Sequence, residues 1–585
     1  METREKSYLR RPIPLGWSVL LALMVHGPLL MMQLPANTSY DANFHIFFAS
    51  HYAQHWFDPW NTKWFAGFSQ TTYPPVGHQW IAVFSYLVGL NIAYMLVQLI
   101  GVVLYPVAVY KFSKLWVSTR AASYAAFLSV FIGSLSFLVY SAGQLSTTLA
   151  APFYLLAMAY LYEWLRWGGG RAFIKGLLFV VVGAGIHHVT LIFASLLFAL
   201  PVLWLAWRDR QTEGRGAAGA VVGRAIVFTA ISAAAVGITL LPYFLAILQH
   251  PITQVPIPHA SRNNLLLSGW VNFVNYFVAQ YGLMILALPF IFIKGATRRR
   301  LPLMLFFWLT FIFSLGSTTP IPRWLTGRAF EILTFERYAL WASLLALPII
   351  GLLVEDLVDR WPRWGAAGVA LAAAATCSFA LAWISISPYK TVGGMNVNSV
   401  VSFLNRDGHD RFRYFTLGFG NALPKVSTYA NASSVDGEYN SARLLPEMTQ
   451  YGSAQLTSAK YFGREGMEAL RSMLKHANKY GVKWVFVHDP YYEPLLAFAG
   501  WRRIEVFDNG SISVWTKDDV PPAHAIESDA VPAPWEGLLW GTLPFGSSLL
   551  LIFVTFMFPD RVRVLEVVTP SSEPEPLSIY AREAR

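Results

Sequence analysis

Residues 40–75 read YDANFHIFFASHYAQHWFDPWNTKWFAGFSQTTYPP and lie between one apolar run and a long series of others. They hold Asp41, His45, His51, His55 and Asp58 among many aromatic residues. Ionisable groups beside a bilayer are costly to keep and mark candidate functional sites. Steps of three or four residues would put Asp41, His45, Phe48, Tyr52 and His55 on one helical face. A carboxylate with imidazoles at that spacing offers two chemistries. It could act as base and helper, taking the proton of a poor nucleophile, or it could hold a divalent metal. The same groups would also sit in water as ordinary interfacial residues, and spacing leaves these readings open. Asp41, a few residues past the first apolar run, is the candidate acid–base centre, with His45 beside it.

Such a face needs a scaffold. Of 585 residues, 55% are hydrophobic and 13% charged, about half the charge of an ordinary soluble domain. This composition is that of a polytopic α-helical membrane protein. The net charge of +11 does not indicate nucleic acid, because the basic residues fall in short loops between apolar runs. The lone cysteine, Cys377, excludes a disulfide framework and a cysteine-based metal site. No Gly-rich phosphate loop precedes a helix, which argues against an ATPase.

A crossing takes roughly 20 apolar residues. Leu15–Leu34 is the first; Arg4, Lys6, Arg10 and Arg11 precede it, so the N-terminus is expected in the cytoplasm and the loop 35–75 outside. No cleavage site follows that run, which reads as a retained anchor. Within the loop, Ala42–Trp56 reads as an amphipathic helix lying in the interface, with Trp56, Trp60 and Trp64 in the headgroup belt. Val76–Leu90 is too short and broken to cross and reads as re-entrant, leaving Asn91–Tyr110 as the second crossing. Alternation of cation-rich ends then gives about twelve crossings, the last being Leu538–Phe558. Residues 1–387 form the main membrane domain, 534–560 the last span, and 561–585 a cytoplasmic tail rich in Pro, Ser and Glu and expected to be disordered.

Residues 388–533 break the pattern. Charged residues, Asn, Ser and Gly rise, and no span fits. This segment is expected to be an extracytoplasmic α/β domain. Helices are expected at Val397–Asn405 and Gly463–Tyr480, strands at Arg413–Leu417 and Val482–His488. Ile504–Phe507 and Ile512–Trp515 flank Asp508-Asn509-Gly510, a hairpin signal.

Several further residues have two readings. Arg337, at the expected outer end of a span in Glu336-Arg337-Tyr338, could meet an anionic group or could snorkel and pair with Glu336. Arg323 and Arg328 share that loop. His187 and His188, at an outer turn, could contact a ligand or simply form a polar turn. Asp58 could be a second acid, a metal ligand or the cap of a turn before Pro59. His250 and His259, in a Pro-rich loop, read as solvated only.

The order of these features resembles the GT-C superfamily of integral-membrane glycosyltransferases. The points of likeness are a carboxylate in the first outer loop, then Phe57-Asp58-Pro59-Trp60, Gly67-Phe68, and Tyr73-Pro74-Pro75 opening an apolar helix. The chain is more specifically similar to the bacterial membrane proteins labelled "6-pyruvoyl-tetrahydropterin synthase-related", through Asp41 with His45 four residues on and, more loosely, Gly143-Gln144-Leu145. That label implies no pterin chemistry, since the three-histidine zinc site of the soluble enzyme has no counterpart here. The resemblance implies transfer of a sugar from a polyprenyl-phosphate carrier in the membrane to an extracytoplasmic glycan, lipid or protein acceptor. Asp41 would be the base, with His45 assisting, and Arg337 would meet the donor phosphate; His55, Asp58, His187 and His188 are further substrate-binding candidates. The residues single out no cofactor, and a divalent metal stays open. Two alternatives remain from the residues alone: a transporter or flippase for a lipid-linked precursor, or a non-catalytic membrane assembly protein. A transporter usually gathers its ionisable groups near the midplane, whereas here they cluster at the expected outer ends.

Overall fold

The computed structural model describes residues 11–211, 215–250, 258–387, 395–439, 442–451 and 455–560. The cations expected to orient the N-terminus, except Arg11, and the tail beyond residue 560 lie outside these.

Among the described residues, nine helices are long and apolar enough to cross a membrane, from Leu90–Ser113 to Pro534–Met557. The other three expected positions hold shorter helices, Leu15–Met31, Gly170–Ile186 and Leu301–Ser314. Val76–Val88 has 13 residues, or about 20 Å of helix, too short for a hydrocarbon core of about 30 Å. At the end where Leu90–Ser113, Leu145–Trp167 and Glu336–Arg360 finish, ion pairs tie the spans together. Arg120 meets Glu355 at 2.8 Å, and Asp209 meets Arg299 at 2.7 Å and Arg166 at 3.1 Å. Asp560, just past the last helix, takes Lys175 at 2.5 Å and also pairs with Lys111.

The soluble α/β part is built on a four-stranded sheet. After two short strands in the first loop, β1 (Trp60–Asn61) and β2 (Phe68–Ser69), come β3 (Arg413–Leu417), β4 (Val482–Val487), β5 (Arg502–Phe507) and β6 (Ile512–Thr516). The order is β3-β4-β6-β5, with β3 and β4 parallel and the other pairs antiparallel. Strands β3, β4 and β6 are buried on both faces because both are covered, whereas β5, at the sheet edge, is charged and exposed. Phe415, Val485 and Val487 pack on Leu470 and Met473 of the helix Gly463–Lys475. Tyr414, Trp484 and Phe486 pack on Val400 and Phe403 of Asn398–Leu404 and on Val426 of Leu423–Tyr429.

The first loop joins both parts. Its helix, Ala42–Gln54, is buried from Ala42 through Ser50. It does not lie among headgroups as its composition suggested. Phe44, Phe47 and Phe48 pack on Trp64 and Phe68, and Trp64 is fully buried, donating to Ser427 at 2.8 Å. The soluble part supplies a cover that amphipathicity alone does not reveal, and each large apolar side chain so buried gains about 1.5–3 kcal/mol. The last helix is seated on the same loop: Trp56 donates to the Gly541 carbonyl at 2.9 Å and Trp540 to the Tyr52 hydroxyl at 2.8 Å.

Candidate active site

Asp41 is the N-cap of the first-loop helix, but its carboxyl makes no capping hydrogen bond. Its backbone is held instead: its N–H donates to the Ala142 carbonyl at 3.0 Å, and Tyr40 does the same to Ser141 at 3.1 Å. The turn that accepts these bonds ends at Gly143, whose φ is +71°. A Cβ there would lie 2.5 Å from Ser39 Oγ and 2.7 Å from Ala42 N, so only glycine lets the first loop approach so closely.

The next residue carries the site across the bundle. Gln144 is buried and donates its amide to Glu336 at 2.5 Å. Glu336 is itself buried, with His259 Nδ1 3.9 Å from its other oxygen. His259 is therefore not the solvated loop residue expected from its Pro-rich surroundings; burial holds its imidazole below its ordinary pKa, with Glu336 opposing. Arg337, next along, donates to the Thr334 hydroxyl at 2.7 Å, while its Nε is buried with no hydrogen-bond partner among the described residues.

Asp41, Glu336 and Arg337 lie close enough to act on one another through space. Burial first, then the Glu336 charge, raises the Asp41 carboxyl to about 7, against the pull of the Arg337 guanidinium. Asp41 thus changes charge near neutrality, as a base must if it is to gain and lose a proton there. Tyr73, whose hydroxyl is 3.1 Å from the Ser146 hydroxyl, also interacts with both Asp41 and Arg337.

His45 is one turn beyond Asp41 and buried. It hydrogen-bonds His78 at 2.9 Å, not Asp41. Burial, then His78, keeps it neutral, well below its usual pKa. His187 and His188 both lie within electrostatic reach of Arg337; His187 bonds Thr190 at 2.7 Å and His188 faces the Tyr243 ring at 4.9 Å. His55 and Asp58 are exposed at the other end of the first-loop helix, about 20 Å of helix from Asp41. There the Asp58 carbonyl bonds the His51 ring at 2.7 Å and its carboxyl accepts from Trp60 N at 3.0 Å, the turn geometry that Asp-Pro favours. The expected single face therefore holds from His45 to Tyr52, whose rings surround His78, and stops where the helix ends. Arg323, exposed, pairs with Glu331.

Gln144, Glu336, His259, Tyr73 and His78 surround Asp41, His45 and Arg337 through these contacts. Gln144, Glu336, His259 and Tyr73 stand out in the sequence for other reasons and His78 does not; that they meet is not legible there, because they come from four separate segments. Among the described residues, no three His, Cys, Asp or Glu are grouped to hold a metal ion.

No family model matches the chain, and no curated protein matches it in sequence. Its fold does match solved structures. Arabinofuranosyltransferase AftD from Mycobacteria superposes with a TM-score of 0.53 at 12% identity, over 87% of this chain but only 40% of that one. ArnT from Cupriavidus metallidurans in the apo state gives 0.53 at 12% identity, over 87% of this chain and 99% of that one. The same protein bound to undecaprenyl phosphate gives 0.51 at 12% identity, over 88% and 100%. At 12% identity these likenesses are likenesses of fold. The chain is a polytopic membrane protein with the GT-C fold.

Proposed function

We propose that this chain is a membrane glycosyltransferase that moves a sugar from a polyprenyl-phosphate carrier to a hydroxyl acceptor outside the cytoplasm. One observation supports the reading: Asp41 and Arg337, 296 positions apart in the chain, act on each other through space beside the buried Gln144–Glu336 bond, and the Arg337 Nε is buried without a hydrogen-bond partner among the described residues. Asp41 takes the acceptor's hydroxyl proton. The acceptor oxygen bonds to the sugar's anomeric carbon as the bond from that carbon to the phosphate oxygen breaks, and the electron pair leaves with the phosphate. Arg337 stabilises the charge growing there. His45, neutral and tied to His78, holds the first-loop helix rather than moving the proton. His187 and His188, within electrostatic reach of Arg337, would contact the carrier beside it. His55 and Asp58, at the far end of the helix, stand apart from this chemistry.

The carrier assignment is supported by the ArnT structure bound to undecaprenyl phosphate, a lipid with a phosphate for the Arg337 guanidinium. The orientation rests on Lys111, Arg120, Arg166 and Arg299 at the opposite end, which belongs in the cytoplasm by the distribution of positive charge. Mass spectrometry of lipids co-purifying with the protein in native membrane discs tests the reading. A glycosylated polyprenyl phosphate is expected, and its retention should fall in Arg337→Ala. Phospholipids alone, with no polyprenyl phosphate bound even when it is added, would overturn it.

A further inference from the structure

The span Trp270–Gly295 is not a regular helix. A π-helical turn, Val274–Val278, is followed by a break at Gly282, whose φ is +51°, and by the tighter 3₁₀ turns Gly282–Ala287. Irregular backbone at membrane depth persists where it is buried in protein or lines a cavity. Here it lines a cavity of about 440 Å³, bounded also by the spans Thr119–Ala142, Glu336–Arg360 and Pro362–Ile386. The cavity follows the span Glu336–Arg360 from Ser343 to Leu357, about 21 Å of helix. Trp361 and Trp364, both exposed, mark its cation-rich end, and neither Asp41 nor Arg337 lines it.

None of the described residues lining the cavity is charged. Three of its polar side chains are already bonded. Ser343 donates to the Ala339 carbonyl at 2.7 Å, Thr376 to the Ala372 carbonyl at 2.9 Å, and the Tyr281 hydroxyl lies 2.5 Å from that of Ser314. Gln280 differs. It is fully buried, and neither its amide oxygen nor its amide nitrogen has a hydrogen-bond partner among the described residues. Hydrocarbon around the bundle offers no water to replace one.

We infer that this cavity binds a neutral lipid alcohol, its hydroxyl on the Gln280 amide and its chain along Leu347, Ile350 and Leu357. A carboxamide lacking both partners calls for a group that donates and accepts, as a hydroxyl does. An uncharged lining gives a phosphate or carboxylate headgroup nothing to pair with, so such a ligand is distinct from the carrier proposed at Arg337. The rest of the lining is apolar, and the volume falls in the range of roughly 300–1,000 Å³ typical of small-molecule pockets. The site does not depend on the glycosyltransferase reading.

The test irradiates the full chain in phosphatidylcholine discs with hexadecanol carrying a mid-chain diazirine, and maps the labelled peptides by mass spectrometry. Label is expected on residues 347–357 and 365–373, displaced by unlabelled hexadecanol but not by hexadecane or hexadecyl phosphate. Gln280→Leu should require about tenfold more alcohol for the same labelling, the loss of two neutral hydrogen bonds. At Gly368, which lines the cavity, an added Cβ meets nothing within 4 Å. Gly368→Leu should therefore fill the space and abolish the label while the melting temperature stays near wild type. Equal displacement by hexadecane, or wild-type labelling in Gln280→Leu, overturns the inference. If Gln280→Leu does not fold, wild-type labelling in Gly368→Leu overturns it. Equal labelling by a phosphatidylcholine with the diazirine on its acyl chain also overturns it, since the cavity would then hold ordinary bilayer tails.

Discussion

Gln144 donates its side-chain amide to Glu336 at 2.5 Å across 192 residues of sequence. The bond joins the turn that holds the Asp41 backbone to the helix that begins with Glu336 and Arg337. The turn that holds Asp41 and the start of the helix that carries Arg337 are thereby tied together by a buried hydrogen bond. Gln144→Leu should leave Glu336 buried without that donor, a cost of about 1–3 kcal/mol. It should lower sugar transfer and melting temperature together.

Asp41→Asn keeps the shape and removes the base. Transfer should fall by about 10²–10⁴-fold while the protein still inserts and elutes as wild type. Full activity in this variant would eliminate Asp41 as the base.

The raised Asp41 pKa has a sign that can be read in two ways. Activity needs the ionised form, so kcat/KM should rise with pH through about 7. Stability runs the other way. A carboxyl whose folded pKa lies above its unfolded value of 3.8 stabilises fully below that value, and the contribution is lost as pH rises to about 7. Melting curves of wild type and Asp41→Asn should therefore diverge between about pH 4 and pH 7, with the variant gaining.

Arg337→Ala should weaken undecaprenyl phosphate binding by tenfold or more, since a charged contact in a partly dry site is worth about 1.5–3 kcal/mol. Arg337→Lys should recover only part, because an ammonium is a compact point charge without the planar fork. Calorimetric or fluorescence titration measures both.

Gly143→Ala adds one carbon where Ser39 and Ala42 already crowd the backbone, at a φ of +71°. The substitution should destabilise by more than 1 kcal/mol and shift Asp41. Transfer should fall more than carrier binding does, because Arg337 lies on another helix.

Asp560→Asn should loosen the seat of the last helix. Lys175 is buried and loses its carboxylate, as does Lys111. A lower melting temperature with unchanged phosphate binding is expected, since these residues lie at the far end of the bundle.

Apolar runs, their length and the cations between them make the membrane class and most of the spans legible in the residues alone, because bilayer thickness and backbone hydrogen bonding leave few alternatives. The strands Arg413–Leu417 and Val482–Val487 and the hairpin at Asp508-Asn509-Gly510 are equally local signals and appear where composition places them. Asp41 and Arg337 could be singled out from their positions beside spans. Their proximity could not, because it depends on Gln144, Glu336, His259 and Tyr73 arriving from separate segments. The first-loop helix differs from its sequence expectation for the same reason: its aromatic face has the composition of a headgroup anchor, but Ser427 and Tyr439 of the soluble part cover it. Periodicity records which face of an element is apolar; only the packed chain decides whether lipid or protein lies against it.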